Sequence, residues 1–370
     1  MIVLEFIQTL IEARTPHPED SIFSGKQEAL STVKNVSSIV SKPQSVSIKW
    51  DGSPAIIFGR RAADGLFTMN YKEYIAMPGG QVTSAEELQK FYATHAKNTE
   101  VGNKLAAIFN AIATIVPKDF KGFVQGDLMW DTPIKPFNGK FVFRPNPYGV
   151  IYKVGVNTPL GQQIAGRPIG VAVHTYGTDI VAGKNPLTDK RSMNGLGGLL
   201  PTNQHITVLT GNMGHQFKLK TPVALVNSAN AAIAKHGDVV QAFLDQISAT
   251  AAGVLQTYYN RKYTNQPVDA TWLETKLGAK QFAIVSAPEN KAALVGLDTI
   301  YAAIYKLKLA FLDQLEPQVK DVEQYVNTAP KGSPDNLVPK GEGFNIDTPN
   351  GFVKLVNRGV FSAANFAGRA

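Results

Sequence analysis

Residues 45–61 read SVSIKWDGSPAIIFGRR, two short β-branched runs joined by an Asp-Gly pair. Alternating β-branched and aromatic residues predict strands over SVSIKW and AIIFGRR, with the chain turning at Asp51-Gly52. Lys49 breaks the pattern. Lysine is among the least buried residue types, because desolvating an ammonium is costly unless it is paired or gives up its proton. Either Lys49 is a solvated strand-end residue or its amine has a chemical role.

Outward from this stretch the same texture continues in LFTMNYK, GFVQGDLMW, GKFVFRP, GVIYKVGV and IGVAVHTYG, with hairpin signals at Asp64-Gly65 and Asn138-Gly139. One long helix is predicted over 84–116, opened by a Ser84/Glu87 capping box, and helices are predicted before residue 40, capped by Ser21 or Ser24. The segment MIVLEFIQTLIEART reads as an amphipathic opening helix. Between Thr221 and Thr328 apolar residues recur at the helical period, so a helical subdomain is expected there, followed by a Pro/Gly/Asn/Lys linker. GFNIDTPNGFVKLVNRGVF then resumes strand character. The fold class is α+β: an antiparallel-sheet domain over 1–216 and 338–370, with an inserted helical subdomain and linker over 217–337.

Composition narrows the function classes. The chain has 370 residues, 44% of them hydrophobic and 18% charged, which is ample for a large core. It has no cysteine, which excludes disulfides, thiolate metal sites and cysteine nucleophiles. No apolar run reaches the length of a bilayer span, and a cytoplasmic protein without membrane attachment is expected. A net charge of +8 favours a polyanionic partner through counterion release.

Three further charged residues sit in apolar strands. Asp127 lies within FVQGDLMW, Glu342 between two glycines in GEGFNI, and Lys354 between Val353 and Leu355. Two lysines and two carboxylates on a sheet surface suit nucleotidyl transfer, which needs an amine nucleophile, a cation at the α-phosphate and hard oxygen ligands for Mg²⁺. Other motifs carry less: NGLGGLL reads as a loop, His205 and His215 have no third zinc ligand at familiar spacing, and QTYYNRKY reads as the polar end of a core helix in preference to a single-strand binding surface.

The ordered set KWDG at 49–52, GDLMW at 126–130, VAVHTYG at 171–177, EGFNI at 342–346 and FVKLV at 352–356 resembles motifs I, III, IIIa, IV and V of the covalent nucleotidyltransferases, the ATP-dependent DNA and RNA ligases and mRNA capping enzymes. The resemblance implies an ATP-grasp-like ligase adenylation fold in which Lys49 takes AMP from ATP, passes it to a 5′-phosphate end of RNA or DNA, and a 3′-hydroxyl then seals the strand. It implies Asp127 near the ribose, Glu342 and Asp127 as ligands for Mg²⁺ or Mn²⁺, and Lys354 at the α-phosphate. Either His174 or Tyr176 would stack on adenine, Ile48, Trp50, Asp51 and Gly52 would line the nucleotide pocket, and Arg60 and Lys72 would read the ribose or incoming phosphate. No obligate protein partner is implied. This sequence departs from the pattern in lacking an early arginine after Asp-Gly, in carrying Val356 where motif V has a second basic residue unless Arg358 supplies it, and in the long stretch between motifs IIIa and IV. The few residues after Lys354 leave no room for the OB-fold of DNA ligases and capping enzymes, which favours an RNA-ligase-like enzyme.

Overall fold

The computed structural model describes residues 17–95, 99–147, 149–182, 186–188, 191–192, 200–211, 216–329, 333–348, 351–362 and 364. The helix expected over 1–15, most of the glycine-rich 194–200 run and His215 lie outside them. The chain opens on a 3₁₀ turn, Pro18–Ser24, and a helix, α1 (Lys26–Ser37). Neither serine caps that helix: Ser21 Oγ bonds back to the Pro18 carbonyl, and the cap position is Gly25 at φ 111°. The Lys26 N–H instead donates to Gln241 Oε1 at 3.0 Å, so the helix start is satisfied from the helical half of the chain.

Strands follow as the alternation predicts: β1 (Val46–Ile48), β2 (Ala55–Arg60) and β3 (Phe67–Tyr71). The region 84–116 is two helices, α2 (Ala85–His95) and α3 (Thr99–Ile115), where one was expected. They pack together through Gly102, whose absent side chain makes room for the Tyr92 ring; a Cβ there would sit 2.4 Å from Tyr92 Cγ. The capping serine behaves as read, Ser84 Oγ accepting the Glu87 N–H. Next come β4 (Gly122–Trp130), β5 (Lys140–Phe143), β6 (Val150–Gly155), a short α4 (Pro159–Ile164), β7 (Ile169–Gly177), β8 (Arg191–Ser192) and β9 (Ile206–Thr210).

The helical half consists of α5 (Val223–Leu244), α6 (Ala249–Tyr263), α7 (Ala270–Ser286) and α8 (Lys291–Leu315). The helical period was expected to run on through residues 319–326, but Pro317 closes α8 and the chain becomes β10 (Glu323–Asn327). It then forms β11 (Leu337–Val338), β12 (Gly343–Thr348) and β13 (Gly351–Val356).

Among the described residues three sheets result: β1-β12-β13; β11-β10-β6-β5; and a large one in the order β3-β2-β4-β7, with β8 and β9 sharing the outer edge of β7. All the pairings are antiparallel except β7 with β9, so the protein is α+β with antiparallel sheets. One face of the large sheet packs on α2 and α3 through Ile56, Phe58, Val124, Val171 and Val173. A second, larger core joins the helical layer to the two smaller sheets. The other face of the large sheet enters that core through Met129, Ala172 and Leu209, packs Ile57 and Phe123 in a third, small cluster, and carries Asp127 and His174. Among the described residues no helix is long and apolar enough to cross a membrane.

Candidate active site at Lys49

The residues after Lys49 are fixed to β4 before β2 begins. Ser53 N–H donates to the Leu128 carbonyl and Leu128 N–H to the Pro54 carbonyl, at 3.1 and 3.0 Å. Gly52 N–H reaches Asp127 Oδ2 at 3.3 Å, and a Cβ on Gly52 would lie 2.6 Å from Asp127 Cβ, so only glycine fits this turn. Asp51 is anchored separately: its carboxylate accepts the Asn146 amide and the Val150 N–H, while its own N–H donates to Tyr152 Oη at 2.7 Å. The stretch without an early arginine is thus a splice between β1 and the β2–β4 pair.

Lys49 continues the β1–β12 ladder, its N–H donating to the Gly343 carbonyl. Side chains at Val46 and Ile48 enter the large core, so by alternation Ser47 and Lys49 face the opposite side, alongside Asn345 and Lys354 in the Ser47–Asn345–Lys354 cross-strand row. Lys49 Nζ donates to Glu342 Oε1, and their side chains are 18% and 9% exposed. Burial works against the Lys49 ammonium, but the Glu342 carboxylate, helped by Asp51 and Asp127, carries its pKa above the ordinary lysine value. Burial likewise pushes the Glu342 carboxyl up to about 7, with the Asp51 charge adding to the rise and Lys49 and Lys354 opposing it. At rest the amine is an ammonium, and the group poised to exchange a proton near neutrality is Glu342.

Across from this small sheet, Asp127 and His174 meet on the large one. His174 Nε2 lies 3.0 Å from Asp127 Oδ2. A β-bulge makes this possible: Gln125 pairs with Thr175 and Gly126 with Val173, so His174 is the extra residue. The same bulge puts the two candidate rings on opposite faces. Beyond it the alternation is reversed, and Tyr176 packs with the α2–α3 core, on the face away from Asp127.

Other expected site residues are placed elsewhere. Arg60 is on the helix-bearing face, donating from Nε to the Pro117 carbonyl and from Nη2 to Val116, where it caps the end of α3. Ile48 and Trp50 are 1% and 0% exposed, wholly within the core; Trp50 packs on Tyr152 and donates Nε1–H to the Thr210 carbonyl. Neither presents a surface to a base. Arg358 does not stand in for a second motif V residue, because its guanidinium is buried against Asp20, Asn260 and Tyr301; Val356 is also buried. Lys72 stays a candidate: opposite Ala55, it shares a cross-strand row with Asp127 on the site face. Sequence reading missed His17, whose imidazole pKa is held well below the ordinary value by burial and by the charges of Arg358, Lys308, Lys354 and Lys49. Nothing in TPHPED marks it, since only the fold carries it there.

Among the described residues no group of three or more His, Asp or Glu side chains is arranged as a metal cage. What does suit a hard cation is Glu342 Oε2, a buried carboxylate oxygen with no hydrogen-bond partner. Mg²⁺ is commonly held by one or two carboxylates together with substrate phosphates, and that donor set fits Glu342 with Asp127 opposite. No curated protein and no solved structure matches the chain. Residues 15–277 and 274–369 match the family of unknown function DUF6267, and the chain belongs to that family.

Proposed function

We propose that the protein is an ATP-dependent polynucleotide ligase of the RNA-ligase kind, working through a lysyl-AMP intermediate on Lys49. The observation that carries this reading is the contact between Lys49 and Glu342, 293 residues apart in the chain, with Lys354 on the adjoining strand and Asp127 on the facing sheet. The Lys49 amine, its proton released to water, attacks the α-phosphorus of ATP. An N–P bond forms, the P–O bond to pyrophosphate breaks, and Lys354 offsets charge at the α-phosphate. Mg²⁺ bound through Glu342 and Asp127 would neutralise the departing phosphates. AMP then passes to a 5′-phosphate, and a 3′-hydroxyl displaces it to seal an RNA or DNA strand. The net charge of +8 suits such a substrate.

Incubation with α-labelled ATP and Mg²⁺ tests the reading. An alkali-stable, acid-labile protein adduct that survives denaturation is expected, absent in Lys49→Ala; no adduct, or the same adduct in the variant, overturns it. Discharge onto single-stranded RNA, nicked RNA and nicked DNA then identifies the acceptor. One observation favours a second reading, a nucleic-acid-binding protein on the same scaffold without turnover: Val356 and Arg358 are both committed to the interior. It calls for salt-dependent binding of nucleic acid with no adduct.

A further inference from the structure

We infer that His174 is a positioning residue for Asp127, and through it for the Lys49 turn. The inference rests on the nucleotidyltransferase reading for its consequence in catalysis, and on geometry alone for its structural content. His174 Nε2 and the Gly52 N–H converge on one oxygen, Asp127 Oδ2, at 3.0 and 3.3 Å. With Oδ2 accepting the Gly52 N–H, the imidazole is assigned as the second donor, through Nε2–H. Gly52 lies three residues beyond Lys49, in the turn that passes from β1 to β2, so the carboxylate joins β7 to that turn across β4.

The local structure is built for this. The extra residue of the bulge is His174 itself, and Gly126, one of the two β4 residues opposite it, has no room for a side chain: a Cβ would lie 2.2 Å from the Ala172 carbonyl oxygen. Bulges re-aim side chains, and here the redirected one points at a carboxylate. The His174 and Asp127 side chains are 17% and 16% exposed, so water competes weakly for their bond. The bond is made in the plane of the ring, through its edge.

Two substitutions separate the roles. Gln places an amide N–H close to where Nε2 lies but has no ring; Phe keeps a ring but cannot donate. Hydrogen exchange of the peptide spanning Lys49–Ala55 reads the turn without any substrate. His174→Gln should keep its protection within about threefold of the natural protein, and His174→Phe should exchange at least about tenfold faster. With α-labelled ATP, adduct formation should persist in His174→Gln and fall about tenfold or more in His174→Phe, with a raised KM for ATP. Unchanged exchange in a folded His174→Phe overturns the positioning role. So does the reverse activity pattern, Phe active and Gln inactive, which is the signature of stacking. If the natural protein forms no adduct, the ligase reading falls, and the exchange experiment still decides the role of His174.

Discussion

Glu342 and Lys49 form a pair whose protonation should govern both stability and chemistry. With its pKa pushed up to about 7, Glu342 keeps in the folded state a proton that the unfolded chain releases near the ordinary glutamate value. Between those two values the native protein binds more protons, so this group's contribution to stability falls as pH rises through about 7 and is fully present only below the unfolded value. The carboxyl carbon of Glu342 should titrate by NMR with a midpoint near 7, and adduct formation should climb over the same range; a midpoint in the ordinary range for glutamate refutes the assignment. Lys49, Asp127 and Lys354 stand out in the sequence because each is a charge set among apolar strand residues, and Glu342 because it stands between two glycines at the start of a strand. The placements of Arg60, Tyr176, Ile48 and Trp50 were not legible there, since which face a strand residue takes depends on register and on one bulge that adds a residue without any marker beyond Gly126.

At the scale of elements, the glycines divide into those that strands and helices lean on and those they do not. Gly126→Ala should cost about 1–3 kcal/mol by overpacking against the β7 backbone, read by urea unfolding, and should disturb the aim of His174. Gly253, in the interior of α6, has open space around it: a Cβ added there would meet nothing within 4 Å. Gly253→Ala should therefore stabilise the protein by about 0.5–1 kcal/mol, and a loss there would contradict the reading of α6 as an unhindered helix. The β runs were legible because period-two alternation and turn residues are local. The packing of α2 against α3 and the change from α8 to β10 were less so: apolar spacing in QVKDVEQYV fits a helix, and pairing with β6, a long-range event, makes it a strand.

For the whole molecule, the segments near either end of the described residues are held by buried charge. Glu19 pairs with Lys308 of α8, both fully buried, and Asp20 pairs with Arg358 just after β13. Lys308→Met should destabilise the protein by about 3 kcal/mol because Glu19 then keeps only the longer pairing with Arg358, at 3.4 Å, and adding Glu19→Leu should restore much of the loss; no recovery in chemical denaturation would show that the pair contributes beyond its charges. Such a clamp is illegible in sequence, as PHPED and YKLKLAF carry no sign of each other. The β1–β12 pairing has a further consequence, in the time domain of synthesis. A ribosome adding about 5–20 residues per second makes Glu342 roughly 15–60 s after Lys49. For that interval the apolar strand VSI, whose ladder partner among the described residues is β12, is on the nascent chain without it. Translation speed and chaperone supply should therefore weigh more on the yield of this protein than its compact, largely antiparallel sheets would suggest.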